Sequence, residues 1–249
     1  NSRGSVTWRE ADFVQLPRLK LIATCSVGTD SIDLQAARTR GIVVSNQPGV
    51  NAKFVAEHMF GLMFAVAKNA ASQTALLRQG LWQPTPNVML QGKRIGIVGT
   101  GAIGAEMARL ARAIGMDVVA WSFNPNPRRA AALGVRFVSL EELLESADVV
   151  SLHVRLSEDS RGLIGAGQLA KMKPGAILLN GARGPVVDTV ALTEALNAGA
   201  IAGAGVDVFD EEPVSVGAPL LRCERLVMTP HAADQTPEAV IATNEGAVD

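Results

Sequence analysis

The 249-residue chain is long enough for two domains or one large one around a well-buried core, and 48% apolar against 19% charged residues is the balance of a globular protein. A net charge of −1, no run of Lys or Arg and no apolar stretch near bilayer length argue against nucleic acid and membrane as partners. Two cysteines, Cys25 and Cys223, point to free thiols in a reducing cytoplasm; no tyrosine is present for a Tyr-Lys reductase pair, and three scattered histidines leave no zinc-type site, so no metal is expected.

Residues 19–23 read as a strand, and 25–30 as the loop leaving its carboxyl end, the kind of loop that carries ligands in open α/β sheets. Residues 34–40 form a short helix closed by Gly41, and Ile42-Val43-Val44 is the next strand. Asn46-Gln47-Pro48-Gly49 is a turn cluster and a candidate domain boundary. A strongly apolar helix comes next over 52–69, and its excess of Phe, Met, Val and Ala predicts burial on more than one side, including across a dimer. His58, inside it, is assigned to packing. Pro84-Thr85-Pro86 marks an extended link into a glycine-rich strand.

The stretch Lys93-Arg94-Ile95-Gly96-Ile97-Val98-Gly99-Thr100-Gly101-Ala102-Ile103-Gly104 reads as a buried strand running into a glycine-rich turn and a helix. In Gly99-x-Gly101-x-x-Gly104 the first glycine permits the tight turn, the second lets a pyrophosphate approach the backbone, and the third lets helix and strand pack closely. With the positive end of the helix facing it, this is a dinucleotide site. Gly99, Thr100, Gly101, Ala102, Ile103 and Gly104 are its candidate residues.

Beyond the turn, strands near Val118, Val149, Ile177, Gly205 and Val227 alternate with helices near Arg128, Glu141, Gln168 and Leu192, which predicts an α/β fold with a doubly wound parallel sheet. Ligands bind beyond the carboxyl ends of such strands. There the chain places Ser122, His153, Gly181-Ala182-Arg183-Gly184-Pro185, Asp207, Glu211-Glu212-Pro213 and Thr229-Pro230-His231. Hydride transfer to a carbonyl needs a proton donor such as His, an anionic substrate a forked cation such as Arg, and the His a carboxylate partner. Arg183, Glu212 and His231 could fill these roles. From the residues alone, His153 and His231 remain alternatives for the acid.

Asn180-Gly181-Ala182-Arg183-Gly184-Pro185-Val186-Val187-Asp188, Val206-Asp207-Val208-Phe209-Asp210-Glu211-Glu212-Pro213 and Thr229-Pro230-His231 together resemble the D-isomer-specific 2-hydroxyacid dehydrogenases. So do Val55-Ala56-Glu57-His58, Gly92-Lys93 and Asp148-Val149-Val150-Ser151-Leu152-His153, in the same order. The resemblance implies that Arg183 holds the carboxylate and carbonyl of a 2-oxo acid, that His231 passes the proton, and that Glu212 pairs with His231. It implies backbone N–H groups of Val27 and Gly28 on the substrate carboxylate, Asp207 on the nicotinamide carboxamide, and Ser151, His153 and Arg155 along the adenine side. Gly181, Ala182, Arg183 and His231 complete the cofactor contacts. Arg155 is a departure, since many relatives carry an apolar residue there. Formate-type relatives lack a carboxylate partner for the His, so Glu212 favours a 2-hydroxy acid.

The resemblance further implies a flavodoxin-like substrate domain held here in part, over 1–50 and 232–249, around a dinucleotide-binding domain over 51–231. Roughly the first half of the substrate domain is expected ahead of Asn1, and the last helix is expected to run on past Asp249. A homodimer in the cytoplasm is expected, acting on a small 2-hydroxy or 2-oxo acid with NAD or NADP. The acid that binds an NAD ribose 2′-OH is replaced by Ser122, and Arg128 or Arg129 either reaches a 2′-phosphate or begins the next helix. Phe123 stands where many NADP-using relatives place an arginine, so the choice stays open. The alternative function is a nicotinamide-sensing interaction protein of corepressor type on the same fold.

Overall fold

The computed structural model describes residues 6–248. These fall into two compact units, one made of the described residues up to Phe54 with those from Asp234 on, the other Val55–Ala233.

In the smaller unit, α1 (Glu10–Gln15), β1 (Leu21–Ala23), α2 (Leu34–Thr39) and β2 (Val43–Ser45) precede a C-terminal helix, Pro237–Val248. The two strands pair in parallel, Ile22 opposite Val44. Asp33 caps α2 by accepting the Ala36 N–H, which satisfies one of the donors a helix start leaves open. Phe13, Ile22, Ile32, Ala37 and Ile42 form the core, with Trp8 stacked on Phe13 at 6.2 Å. Helix α1 was not foreseen from the sequence.

The larger unit holds most of α3 (Ala52–Ala67), then α4 (Ala70–Arg78) and a regular alternation: β3 (Arg94–Val98), α5 (Ala102–Ala113), β4 (Asp117–Trp121), α6 (Pro127–Leu133), β5 (Arg136–Phe137), α7 (Leu140–Ser146), β6 (Val149–Leu152), α8 (Ala166–Leu169), β7 (Ile177–Asn180), α9 (Thr189–Asn197), β8 (Gly203–Val206) and β9 (Leu226–Met228). The strands make one parallel sheet in the order β5-β4-β3-β6-β7-β8-β9. The winding reverses at β3, whose Gly96 lies opposite Val119 of β4 and Val150 of β6. This is the doubly wound sheet expected, with its switch point at the end of β3.

Successive strand residues serve opposite faces. Ile95, Ile97, Val149, Ile177 and Leu179 join one apolar cluster with α3 and α5 residues, while Val98, Val150, Leu152 and Leu178 join another with α7 and α9 residues. Strands covered on both sides need continuous apolar runs, and these have them.

One helix boundary is corrected. The helix predicted over 52–69 stops at Ala67, because Asn69 takes a left-handed conformation (φ 50°) that its short polar side chain tolerates, and α4 begins there. Within this chain α3 buries one broad face: Val55, Ala56, Met59, Leu62, Met63 and Val66 are buried, whereas Glu57 and Gly61 are exposed and Phe60 and Phe64, edge to face at 5.3 Å, are half-buried.

Candidate active site

The glycine turn comes first because it sits at the switch point. Gly99 has φ 97°, a conformation that favours glycine, and its N–H donates to the Trp121 carbonyl at 2.8 Å. A Cβ on Gly104 would stand 2.0 Å from the Gly99 carbonyl oxygen, so the third glycine permits α5 to seat on the turn. A Cβ on Gly101 would meet nothing within 4 Å, which leaves the approach to the helix open. Helix α5 begins there with no side-chain cap, so its first N–H groups are available to an anion. Thr100 is buried and, among the described residues, its Oγ1 has no partner. A buried hydroxyl without a partner is rare, and a pyrophosphate oxygen would supply one. The residues fit a dinucleotide.

Beyond β4, Ser122 is half-buried and its Oγ accepts the Asn124 N–H at 3.3 Å. Arg128 and Arg129 begin α6, their N–H groups capped by the Asn126 side chain. Arg129 also reaches back, Nη1 donating to the Thr100 carbonyl at 3.2 Å, which ties it to the glycine turn.

At the end of β6, Ser151 is fully buried and its Oγ lies 2.8 Å from His153 Nε2. Ser151 therefore supports His153 from beneath instead of lining an open surface. Burial pushes the His153 pKa down to about 4, and among the described residues its Nδ1 has no partner. A ring that stays neutral keeps one N–H but lacks the acidic imidazolium proton, which weighs against His153 as the acid. Arg155, two residues on, is exposed.

Beyond β7, the Asn180 side chain organises the loop, Oδ1 accepting the Ala182 N–H at 3.1 Å and Nδ2 donating to the Arg183 carbonyl at 3.0 Å. A Cβ on Gly181 would lie 2.6 Å from Met59 Sδ, and one on Gly184 would lie 2.0 Å from the Phe209 backbone, so both glycines mark close approach. Arg183 is half-buried between them, with Nη1 donating to the Ala182 carbonyl at 2.8 Å.

His231 comes after β9 with a left-handed φ of 50°. Its Nδ1 stands 2.6 Å from Glu212 Oε2, while Glu212 Oε1 accepts the Phe209 N–H at 3.0 Å, so the carboxylate is oriented from both sides. That contact assigns Nδ1 as donor and leaves Nε2 as the nitrogen able to exchange a proton with a ligand.

Asp207, at the end of β8, is 1% exposed. Its Oδ1 accepts the Thr229 hydroxyl at 2.6 Å and the Ala232 N–H at 2.8 Å, its Oδ2 accepts the Ala233 N–H at 3.0 Å, and its carbonyl accepts the His231 N–H at 2.8 Å. The carboxylate thus holds the segment that carries His231, with one acceptor position left on Oδ2.

His58 corrects the packing assignment. Its Nε2 is 2.9 Å from Thr229 Oγ1 and 3.5 Å from Asp207 Oδ1, so the ring belongs to the same polar group. The signal was a polar side chain within the apolar face of α3, next to Met59. Thr229 and Asn180 also lacked a sequence-based role.

In the smaller unit, Ser26 Oγ donates to the Gly28 carbonyl at 3.0 Å and Asn46 Nδ2 to the Val27 carbonyl at 2.7 Å. Among the described residues no partner engages the N–H of Val27 or Gly28, the arrangement an anion-binding loop requires.

The model of the D-isomer specific 2-hydroxyacid dehydrogenase NAD-binding domain matches residues 60–233, which take in every strand of the larger sheet. A D-3-phosphoglycerate dehydrogenase of Archaeoglobus fulgidus is 41% identical over 94% of this chain and 45% of its own length. A glyoxylate reductase of Korarchaeum cryptofilum is 43% identical over 91% of this chain and 70% of its own. The chain thus spans less than half of the first relative. A D-lactate dehydrogenase of Aquifex aeolicus, solved with NAD and lactic acid, superposes with a TM-score of 0.88 at 31% identity, covering 97% of this chain and 78% of that one. These relatives lend no support to the corepressor-type alternative. A dinucleotide turn at the switch point, a paired His and Glu on neighbouring strand ends and a family match over most of the chain agree, and the chain belongs to the D-isomer-specific 2-hydroxyacid dehydrogenase family.

Proposed function

We propose that this chain carries the cofactor-binding and catalytic residues of an NAD(P)-dependent dehydrogenase that acts at C2 of a D-2-hydroxy acid, or on the 2-oxo acid in reverse. The observation that carries the reading is the 2.6 Å contact between His231 Nδ1 and Glu212 Oε2, reached from the ends of β9 and β8. A bound nicotinamide supplies or accepts the hydride. Glu212 fixes the tautomer of His231, so that Nε2 gives its proton to the carbonyl oxygen as negative charge develops on it. Arg183 holds the substrate carboxylate with its planar fork, a geometry that lysine does not offer. Thr100 and the first N–H groups of α5 hold the pyrophosphate. Val27 and Gly28 are suited by their N–H groups to a carboxylate.

Two finer readings accompany this one. Helix α4 buries no residue, and Leu77, Leu81, Trp82 and Met89 are exposed around it, Trp82 at 86%. We propose that this arm packs against a second copy of the chain, since an apolar surface of that kind marks an interaction site. Both cysteines are free thiols, which suits a reducing cytoplasm.

The test is loss of reduced-nicotinamide absorbance with glyoxylate, hydroxypyruvate, phosphohydroxypyruvate and pyruvate, each with NADH and with NADPH. Turnover of at least one acid supports the dehydrogenase. Tight binding of the cofactor with no turnover of any acid overturns it in favour of a sensing role.

A further inference from the structure

Hydrogen-bond accounting around Thr229 gives His58 a task. The Thr229 hydroxyl has one proton, and at 2.6 Å from a carboxylate oxygen that only accepts, the proton belongs to the bond with Asp207 Oδ1. Toward His58 Nε2, at 2.9 Å, Thr229 therefore offers a lone pair, and His58 must carry its proton on Nε2. The chain of donors runs one way: His58 Nε2–H to Thr229, Thr229 O–H to Asp207, while Asp207 receives the N–H groups of Ala232 and Ala233 on either oxygen. Those two residues directly succeed His231, whose left-handed backbone has to be held from outside.

We propose that His58 is a positioning residue for His231: its Nε2–H pins the Thr229 side chain and polarises the hydroxyl toward Asp207, and so steadies the Asp207 carboxylate. Without that donor, the Thr229 hydroxyl keeps its carboxylate acceptor but loses the bond that pins its side chain, and Asp207 is held less firmly against both backbone amides. A ring that merely filled space on α3 would do none of this, and any apolar side chain of similar volume would serve as well. The inference rests on the dehydrogenase reading for its effect on turnover, but not for its effect on the Ala232 and Ala233 amides.

The experiment uses the whole chain and compares His58→Leu, His58→Gln, Thr229→Val and the double variant His58→Leu/Thr229→Val. Amide hydrogen exchange at Ala232 and Ala233, read by NMR, is expected to quicken about tenfold in His58→Leu and in Thr229→Val, the loss of roughly one hydrogen bond, and to stay near wild type in His58→Gln, whose amide N–H can still donate to Thr229. The double variant is expected to exchange no faster than Thr229→Val alone, because both changes cut the same chain. On the acid that the wild type reduces, kcat should fall in parallel. Unaltered exchange in His58→Leu, equal exchange in the Leu and Gln variants, or additive effects in the double variant would overturn the proposal. A wild type that turns over no acid would overturn the dehydrogenase reading and leave the exchange result to decide this one; if His58→Leu fails to fold, the Gln and Thr229→Val comparison still decides.

Discussion

His153 offers a test in which the magnitude comes from the structure. Its folded pKa of about 4 lies below the ordinary 6.5 because burial penalises the charged ring. The unfolded chain therefore binds a proton that the folded chain refuses over the interval between those values, and stability falls as pH drops through 6.5 toward 4. Evaluated from the two pKa values, the penalty is about 0.2 kcal/mol at pH 7 and about 2 kcal/mol at pH 5, levelling off at about 3 kcal/mol below pH 4. The perturbation is His153→Asn, which keeps a polar group near Ser151 without a group that titrates. Guanidinium unfolding of both proteins at half-unit intervals from pH 7.5 to 4.5 isolates the effect, since every other carboxylate and histidine titrates in both. Wild type should lose about 2 kcal/mol relative to the variant between pH 7 and pH 5. Parallel stability curves would refute the reasoning, and with it the argument that His153 stays neutral and leaves His231 as the acid.

Arg183→Ala should lower kcat/KM for the 2-oxo acid by roughly 3 kcal/mol, the scale of a lost contact to developing negative charge, while the dissociation constant of the cofactor changes little; equal losses in both would contradict its role. Glu212→Gln keeps an oxygen for the Nδ1–H of His231 but removes the negative charge beside the ring, so kcat for reduction should fall by at least about tenfold while the dissociation constant of the cofactor changes little. Ser122→Asp should weaken NADPH binding by at least about tenfold relative to NADH, because a carboxylate at the end of β4 bonds a 2′-OH and repels a 2′-phosphate; fluorescence titration of both cofactors reads this directly. Trp82→Glu should shift the chain toward monomer in sedimentation velocity, with its thermal midpoint moved little, since Trp82 is 86% exposed.

Much of the larger unit was legible because its signals are local. Each strand from β3 to β9 except β5 announces itself by an apolar run, and the glycines at 99 and 104 are dictated by a positive φ and by a 2.0 Å approach that no side chain survives. The candidate catalytic residues Arg183, Glu212 and His231 were legible because each follows the carboxyl end of a strand. What was missed depends on distance in sequence. His58 meets Thr229 across 171 residues, and nothing near either residue reports the other. Strand β5 has two residues, too few for a period, and α4 has no buried residue and so no apolar stripe to read. The choice between His153 and His231 was open from the residues and closed by the family resemblance, and the lowered pKa of His153 agrees with it.

The placement of His231 also shows which effect prevails at this site. A non-glycine residue at φ 50° stores strain of about 1–3 kcal/mol, and a carboxylate as buried as Asp207 costs several kcal/mol unless it is bonded. Three bonds to that carboxylate, each of about 1.5–3 kcal/mol for a charged acceptor, outweigh the strain and satisfy the charge together. Neither cost would be met alone: an unstrained loop would not bring the Ala232 and Ala233 amides onto both oxygens, and an apolar residue at 207 would leave the loop free to relax. The buried acid and the strained histidine are therefore one device, which presents the imidazole to Glu212 in a fixed orientation before any ligand arrives.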